Sequence, residues 1–164
     1  MLVPPPSTLG AAALAVLYAN LIIVLEKMIR SPRAVGADAR NDLYGMLPAS
    51  VRGQLRARLR GVGQAVARDA GLAAEWRTAL ARIAEWLGPV AHDTIRWQGE
   101  LSFERRSAAA PRANVLLLQT LYFADREKVE AAVTELLVGL NYLWRFEREM
   151  SALAFAADHG ALQQ

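Results

Sequence analysis

From Leu72 onward the apolar positions advance by alternating steps of three and four: Leu72, Trp76, Leu80, Ile83, Leu87, Val90, Thr94, Trp97 and Leu101. This is the spacing of one face of an α-helix, and it predicts a helix of about thirty residues with a single apolar seam. Pro89 falls inside the run, where its missing N–H and its ring disturb the backbone ladder, so a kink or break is expected near Leu87 and Gly88. A second run, Val129, Val133, Leu136, Leu140 and Leu143, has the same period. The segment "NVLLLQTLYFADREKVEAAVTELLVGLNYLWRFEREM" therefore reads as one long helix or two joined near Asp125. A helix starting at Asp125 puts Glu127 and Glu130 near the positive end of its dipole.

Before Leu72 the pattern is shorter and more punctuated. "LGAAALAVLYANLIIVL", from Leu9, is nearly free of polar groups. Ser7 or Thr8 can cap a first helix there, and "SPR" ends it at about Arg30 because Pro32 restricts Ser31. At seventeen residues the run is at the lower edge of a membrane span, "VPPPS" replaces the basic segment of a secretory signal, and Asn20 interrupts it. A buried helix fits better than a span or a signal peptide. Gly36 to Met46 reads as a short helix with Asp38 near its start. Pro48 opens another, "PASVRGQLRARLRG", closed by Gly61. "GVGQAVARDAG" reads as a loop with a turn or two of helix, and "RRSAAAPRAN" as a linker ended by Pro111.

Strand alternation is hard to find and no internal repeat emerges. The expected fold is all-α, an antiparallel helical bundle of about five to seven helices whose three longest members form the core. The expected plan is a disordered Pro-rich lead over 1–7, one helical domain over 8–158 and a tail over 159–164.

Composition narrows the chemistry. With 54% hydrophobic and 21% charged residues in 164, the chain is far from the signature of disorder and fits one core. It has no cysteine, which excludes disulfides, thiolate metal sites and a cysteine nucleophile, and fits a reducing intracellular compartment. His92 and His159 are the only histidines, so no metal site is expected, and no phosphate-loop, dinucleotide, HExxH or GxSxG motif points to a cofactor or a reaction. Leu2 provides no myristoylation signal at this terminus. The net charge of +3 is unevenly placed, because residues 1–60 hold eight Lys/Arg against three acids.

Two clusters are candidate sites. Arg52, Arg56 and Arg60 repeat every four residues beside Val51, Leu55 and Leu59, an amphipathic basic helix that reads either as a solvated face or as a patch for phosphates, anionic lipid or an acidic partner protein. Interleaved aromatics are absent, which disfavours specific nucleic-acid recognition. In "VAHDTIRWQGELSFE", His92, Arg96 and Glu100 also repeat every four residues and form a polar stripe beside the seam. Asp93 points about 100° away from His92 around the helix, so no acid/base pair forms and a salt-linked or partner surface is expected instead of an active site. Asn20 and Asn141, each among apolar neighbours, are expected to bond to a neighbouring helix or a buried water. Trp76, Trp86, Trp97 and Trp144 are expected mostly in the core, with Trp86 an interface anchor if its offset from Ile83 and Leu87 carries it off the seam.

The stretches "YANLIIVLEKMIRSPRAVGADARNDLYGMLPASVR", "AEWRTALARIAEWLGPVAHDTIRWQGELSFE" and "NVLLLQTLYFADREKVEAAVTELLVGLNYLWRFERE" resemble the C-terminal domain of the plant PSK SIMULATOR family, domain of unknown function 668, from about Thr8 to Met150. The resemblance implies an intracellular plant growth regulator tied to phytosulfokine signalling, nuclear and in its full-length form also associated with the plasma membrane. Family members are longer, with a preceding helical region and often a myristoylation signal, so this chain is expected to be one excised domain. The family supplies no catalytic residues. The expected function is a non-enzymatic helical module that binds protein partners, the alternative being a peripheral membrane or phosphoinositide-binding domain.

Overall fold

The computed structural model describes residues 3–60, 66–107 and 120–162, with side chains described for 3–60, 66–100 and 120–160. Within them lie five α-helices: α1 (Ala15–Arg30), α2 (Ala37–Met46), α3 (Ala49–Leu59), α4 (Ala70–Ser107) and α5 (Arg126–Leu162). Short 3-10 turns sit at Pro32–Ala34 and Leu121–Phe123. The all-α bundle expected from periodicity is the observed fold, and no described helix is long and apolar enough to cross a membrane.

The three longest helices form the core. Leu21, Ile22 and Leu25 of α1, Leu80 and Leu87 of α4, and Val133, Leu136, Leu137 and Leu140 of α5 are all essentially inaccessible. Burial on this scale is the main stabilising term, at roughly 25 cal/mol per Å² of apolar surface. Directions follow from the pairs that meet. Gly139 of α5 lies against Trp76 and Leu80 of α4 while Tyr142, further along α5, bonds to Asp69 just before α4, so α4 runs antiparallel to α5. Tyr18 meets Glu130, and Arg33, just beyond α1, meets Glu147, so α1 lies alongside α5 in the same direction. Helix α3 does likewise, bonding through Ser50 to Glu130 and through Gln54 to Thr134.

Several local expectations are corrected. The first helix starts at Ala15, not near Thr8, because residues 7–10 pair with the chain before α5. Leu9 N–H donates to Ala124 O, Gly10 N–H to Tyr122 O, and Arg126 N–H to Ser7 O. Ala13 then turns the chain with φ 56°, in the left-handed region. Gly10 is needed there, since a Cβ would collide with the backbone carbonyl oxygen of Tyr122. Pro89 does not break α4. Pro89 and Glu85 are exposed, so the carbonyl that loses its intrahelical partner faces water. Of the seam, Leu80, Leu87 and Thr94 are buried while Leu72 is 38% exposed.

Asn20 is exposed and fixes no helix register. Asn141 accepts from Arg145 on its own helix at 3.1 Å. Helix α5 continues through the segment expected as a tail, to Leu162. Asp125 does start that helix, its Oδ1 accepting from Lys128 N–H at 3.1 Å. Gly61 and most of the Ala-rich linker lie outside the described residues.

Candidate functional site

Helix α3 carries three rows of side chains with different fates. Val51 and Leu55 are buried. Ser50, Gln54 and Arg58 face α5: Ser50 Oγ donates to Glu130 at 3.1 Å, Gln54 Oε1 accepts from Thr134 at 3.2 Å, and Arg58 pairs with Glu135. Arg52, Arg56 and Arg60 face away from α5 and are exposed. Their spacing is the one legible in the sequence, except that Arg60 has left the helix, with extended backbone at ψ 127°.

Those three arginines border a single cavity of about 780 Å³. Its apolar lining is Leu55 and Leu59 from α3 with Tyr44 and Leu47 from the end of α2. Among the described residues no carboxylate lies within ion-pair distance of Arg52, Arg56 or Arg60, and the Arg52 guanidinium donates to Gly45 O, at 3.3 Å. The sequence reading missed the α2 wall. Its signal is the short Leu47–Pro48 link between α2 and α3, which keeps Tyr44, Gly45 and Leu47 at the mouth of the groove that α3 lines. The result is an apolar groove with an unneutralised basic rim.

The opposite side of α3 meets a buried carboxylate. Glu130 is 5% exposed and accepts from Tyr18 Oη at 3.0 Å, Ser50 Oγ at 3.1 Å and Arg126 Nε at 2.8 Å. A buried carboxylate is tolerable only with such partners. Desolvation, reinforced by the Glu130 charge, pushes the Tyr18 hydroxyl up to about 12. Glu130 in turn raises Arg126 above its ordinary value through their hydrogen bond. The sequence placed Glu130 at a favourable dipole position but gave no sign that α1 and α3 converge on it.

The stripe of His92, Arg96 and Glu100 does not converge on one centre. His92 Nε2 lies 3.4 Å from Glu26 Oε1 on α1, which also holds Arg30 at 2.8 Å. Gly88 makes room for that carboxylate, since a Cβ there would sit 2.5 Å from Glu26 Oε2. Arg96 pairs with Asp93 at 3.1 Å, and Glu100 lies half-buried one turn further on. Among the described residues no three His, Asp or Glu side chains could hold a metal ion. Trp86, offset from Ile83 and Leu87, is 51% exposed beside a smaller cavity lined by Leu87, Val90 and Val129.

Comparison with known proteins places these features in a family. PSK SIMULATOR 1 of Arabidopsis thaliana is 30% identical over 143 residues, which are 82% of this chain and 21% of that protein. PSK SIMULATOR 2 of the same plant is 30% identical over 153 residues, 86% of this chain and 24% of that protein. PSK SIMULATOR 3 is 27% identical over 143 residues, 82% of this chain and 22% of that protein. The chain thus spans between a fifth and a quarter of the length of these relatives. No solved structure matches it. The family model described as a protein of unknown function, DUF668, matches residues 8–96, from the turn before α1 to well along α4, and so includes the whole α2–α3 groove. By that match the chain belongs to the DUF668 family.

Proposed function

We propose that this chain is a non-enzymatic helical protein-interaction module of an intracellular plant growth-signalling regulator, and that its α2–α3 groove takes an acidic amphipathic segment of a partner protein. The observation that carries the reading is the groove itself, an apolar floor bordered by three arginines with no carboxylate of their own. Desolvation of the half-buried Tyr44 and Leu59 by an apolar face supplies the affinity. The arginines steer and orient an acidic segment through charge-assisted hydrogen bonds. The likeness to the PSK SIMULATOR proteins supports a signalling context. An anionic membrane is the weaker occupant. Lipid insertion needs apolar side chains that project from a helix, whereas Val51 and Leu55 are buried in the bundle.

The test is a selection of displayed plant peptides on the wild-type chain, followed by binding isotherms with a folded Arg52→Glu, Arg56→Glu, Arg60→Glu variant. Selected peptides are expected to carry acids flanking apolar residues at helical spacing, and to bind the variant at least about tenfold more weakly. Peptides indifferent to the charge reversal would contradict the reading. So would flotation with anionic vesicles in the absence of any selected peptide.

A further inference from the structure

A second pocket, which shares no lining residue with the α2–α3 groove, lies where the turn after α1 and the start of α2 meet α5. It measures about 300 Å³ and is lined by Arg33, Arg40, Trp144, Glu147, Arg148 and Ser151, among others. Trp144, Arg148 and Ser151 recur at four and three residues on α5, so they share one face. Arg40 stacks on the Trp144 indole, its Cζ 5.6 Å from the ring centre. Two buried donors here have no acceptor, Arg40 Nε and Trp144 Nε1, although Trp144 is only 7% exposed. Buried donors are almost always paired, so two orphans at one pocket mark a place where an acceptor is missing.

The charges around the pocket point the same way. Glu147 is its one carboxylate, and both its oxygens are engaged, Oε2 by Arg33 at 2.6 Å and Oε1 by Arg77 at 3.2 Å. Arg40 and Arg148 have no ion-pair partner among the described residues. Among the lining residues three guanidinium groups, Arg33, Arg40 and Arg148, against one carboxylate leave an excess of two positive charges in a concave, partly enclosed site. A carboxylate ligand would neutralise half of that excess. A phosphate monoester at neutral pH carries nearly two negative charges and three terminal acceptor oxygens.

We propose that this pocket binds a phosphate monoester dianion. Arg40 lifts from the indole to grip the phosphoryl oxygens, Arg148 supplies the second free charge, and the uncovered Trp144 N–H donates to the ligand. Arg33 stays anchored by Glu147 and lends its field from the rim. The stack of Arg40 on Trp144 is then the closed resting form of the site, and the two orphan donors are satisfied only when it is occupied.

The test follows the Trp144 indole N–H resonance in the 15N-labelled chain, assigned with Trp144→Phe, during titration with phenyl phosphate at constant ionic strength. A saturable shift is expected at pH 7.5, weakening as the phosphate becomes a monoanion near pH 5. Arg40→Gln and Arg148→Gln should each weaken binding about tenfold or more, Arg40→Lys less so, and Arg56→Gln not at all. Arg148 is exposed, so its variant keeps the test decisive if Arg40→Gln lowers stability. A phosphoserine peptide is expected to compete with phenyl phosphate for the site, whereas binding confined to vesicles containing a phosphatidylinositol phosphate would overturn the proposal. Absence of a saturable shift, or a shift unchanged in Arg148→Gln, would overturn it.

Discussion

Two rows on helix α3 have the same spacing and opposite fates. Ser50, Gln54 and Arg58 step by four residues, and so do Arg52, Arg56 and Arg60. The first row meets Glu130, Thr134 and Glu135 on α5, so its polar groups hold two helices together. The second row meets no acid among the described residues and borders an open apolar groove. Spacing identifies which side chains share a face. The helix opposite decides whether that face is structural or free, and only the tertiary arrangement discloses it.

If the contrast is real, substitutions on the two sides of α3 must separate cleanly in stability. The largest effect belongs to Glu130→Ala, which leaves Tyr18 Oη unsatisfied in the core and removes the partner of Arg126. Denaturant unfolding should show a loss of about 3 to 4 kcal/mol. Next comes an alkaline effect. The Tyr18 pKa is raised from 10.0 to about 12 by burial, so the folded chain keeps a proton that the unfolded chain releases. The stability it contributes is fully present below pH 10 and is lost as the pH rises through about 12. Wild type should lose about 2 to 3 kcal/mol more than Tyr18→Phe across that window, read as urea midpoints at each pH.

Ser50→Ala removes one of the three hydrogen bonds to Glu130 and should cost about 1 kcal/mol in the same assay. The smallest effects belong to the other row. Arg52→Gln, Arg56→Gln and Arg60→Gln should each change stability by less than about 0.5 kcal/mol, because no ion pair is lost. A larger loss there would erase the distinction between the rows.

Much of the architecture was legible because it rests on local periodicity. Val129, Val133, Leu136, Leu140 and Leu143 repeat at helical spacing, and every one is buried. Asp125 reads as a helix start because its capping bond reaches only three residues ahead. What could not be read depends on distant chain. Thr8 looks like a helix cap, yet residues 7–10 pair with 122–126, more than a hundred residues on. Asn20 looks like a buried polar anchor in its apolar run, but it falls on an exposed face of α1.

Pro89 looks like a break, and whether its orphaned carbonyl faces water or the core is a tertiary fact. The candidate sites divide along the same line. The arginines of α3 were visible as a row, and Trp86 as an offset aromatic. The walls from Tyr44 and Leu47, the carboxylate hub at Glu130, and the meeting of Arg40 with Trp144 all require elements to come together across the fold.

The most direct test of the groove is one binding isotherm. A fluorescent acidic amphipathic peptide from the displayed selection is titrated against wild type and against the Arg52→Gln, Arg56→Gln, Arg60→Gln variant at matched ionic strength, with the unfolding midpoint of each confirmed first. The groove reading predicts an unchanged midpoint and affinity reduced about tenfold or more. Equal affinity for both proteins, at equal stability, would show that the free arginines of α3 only keep the helix wet.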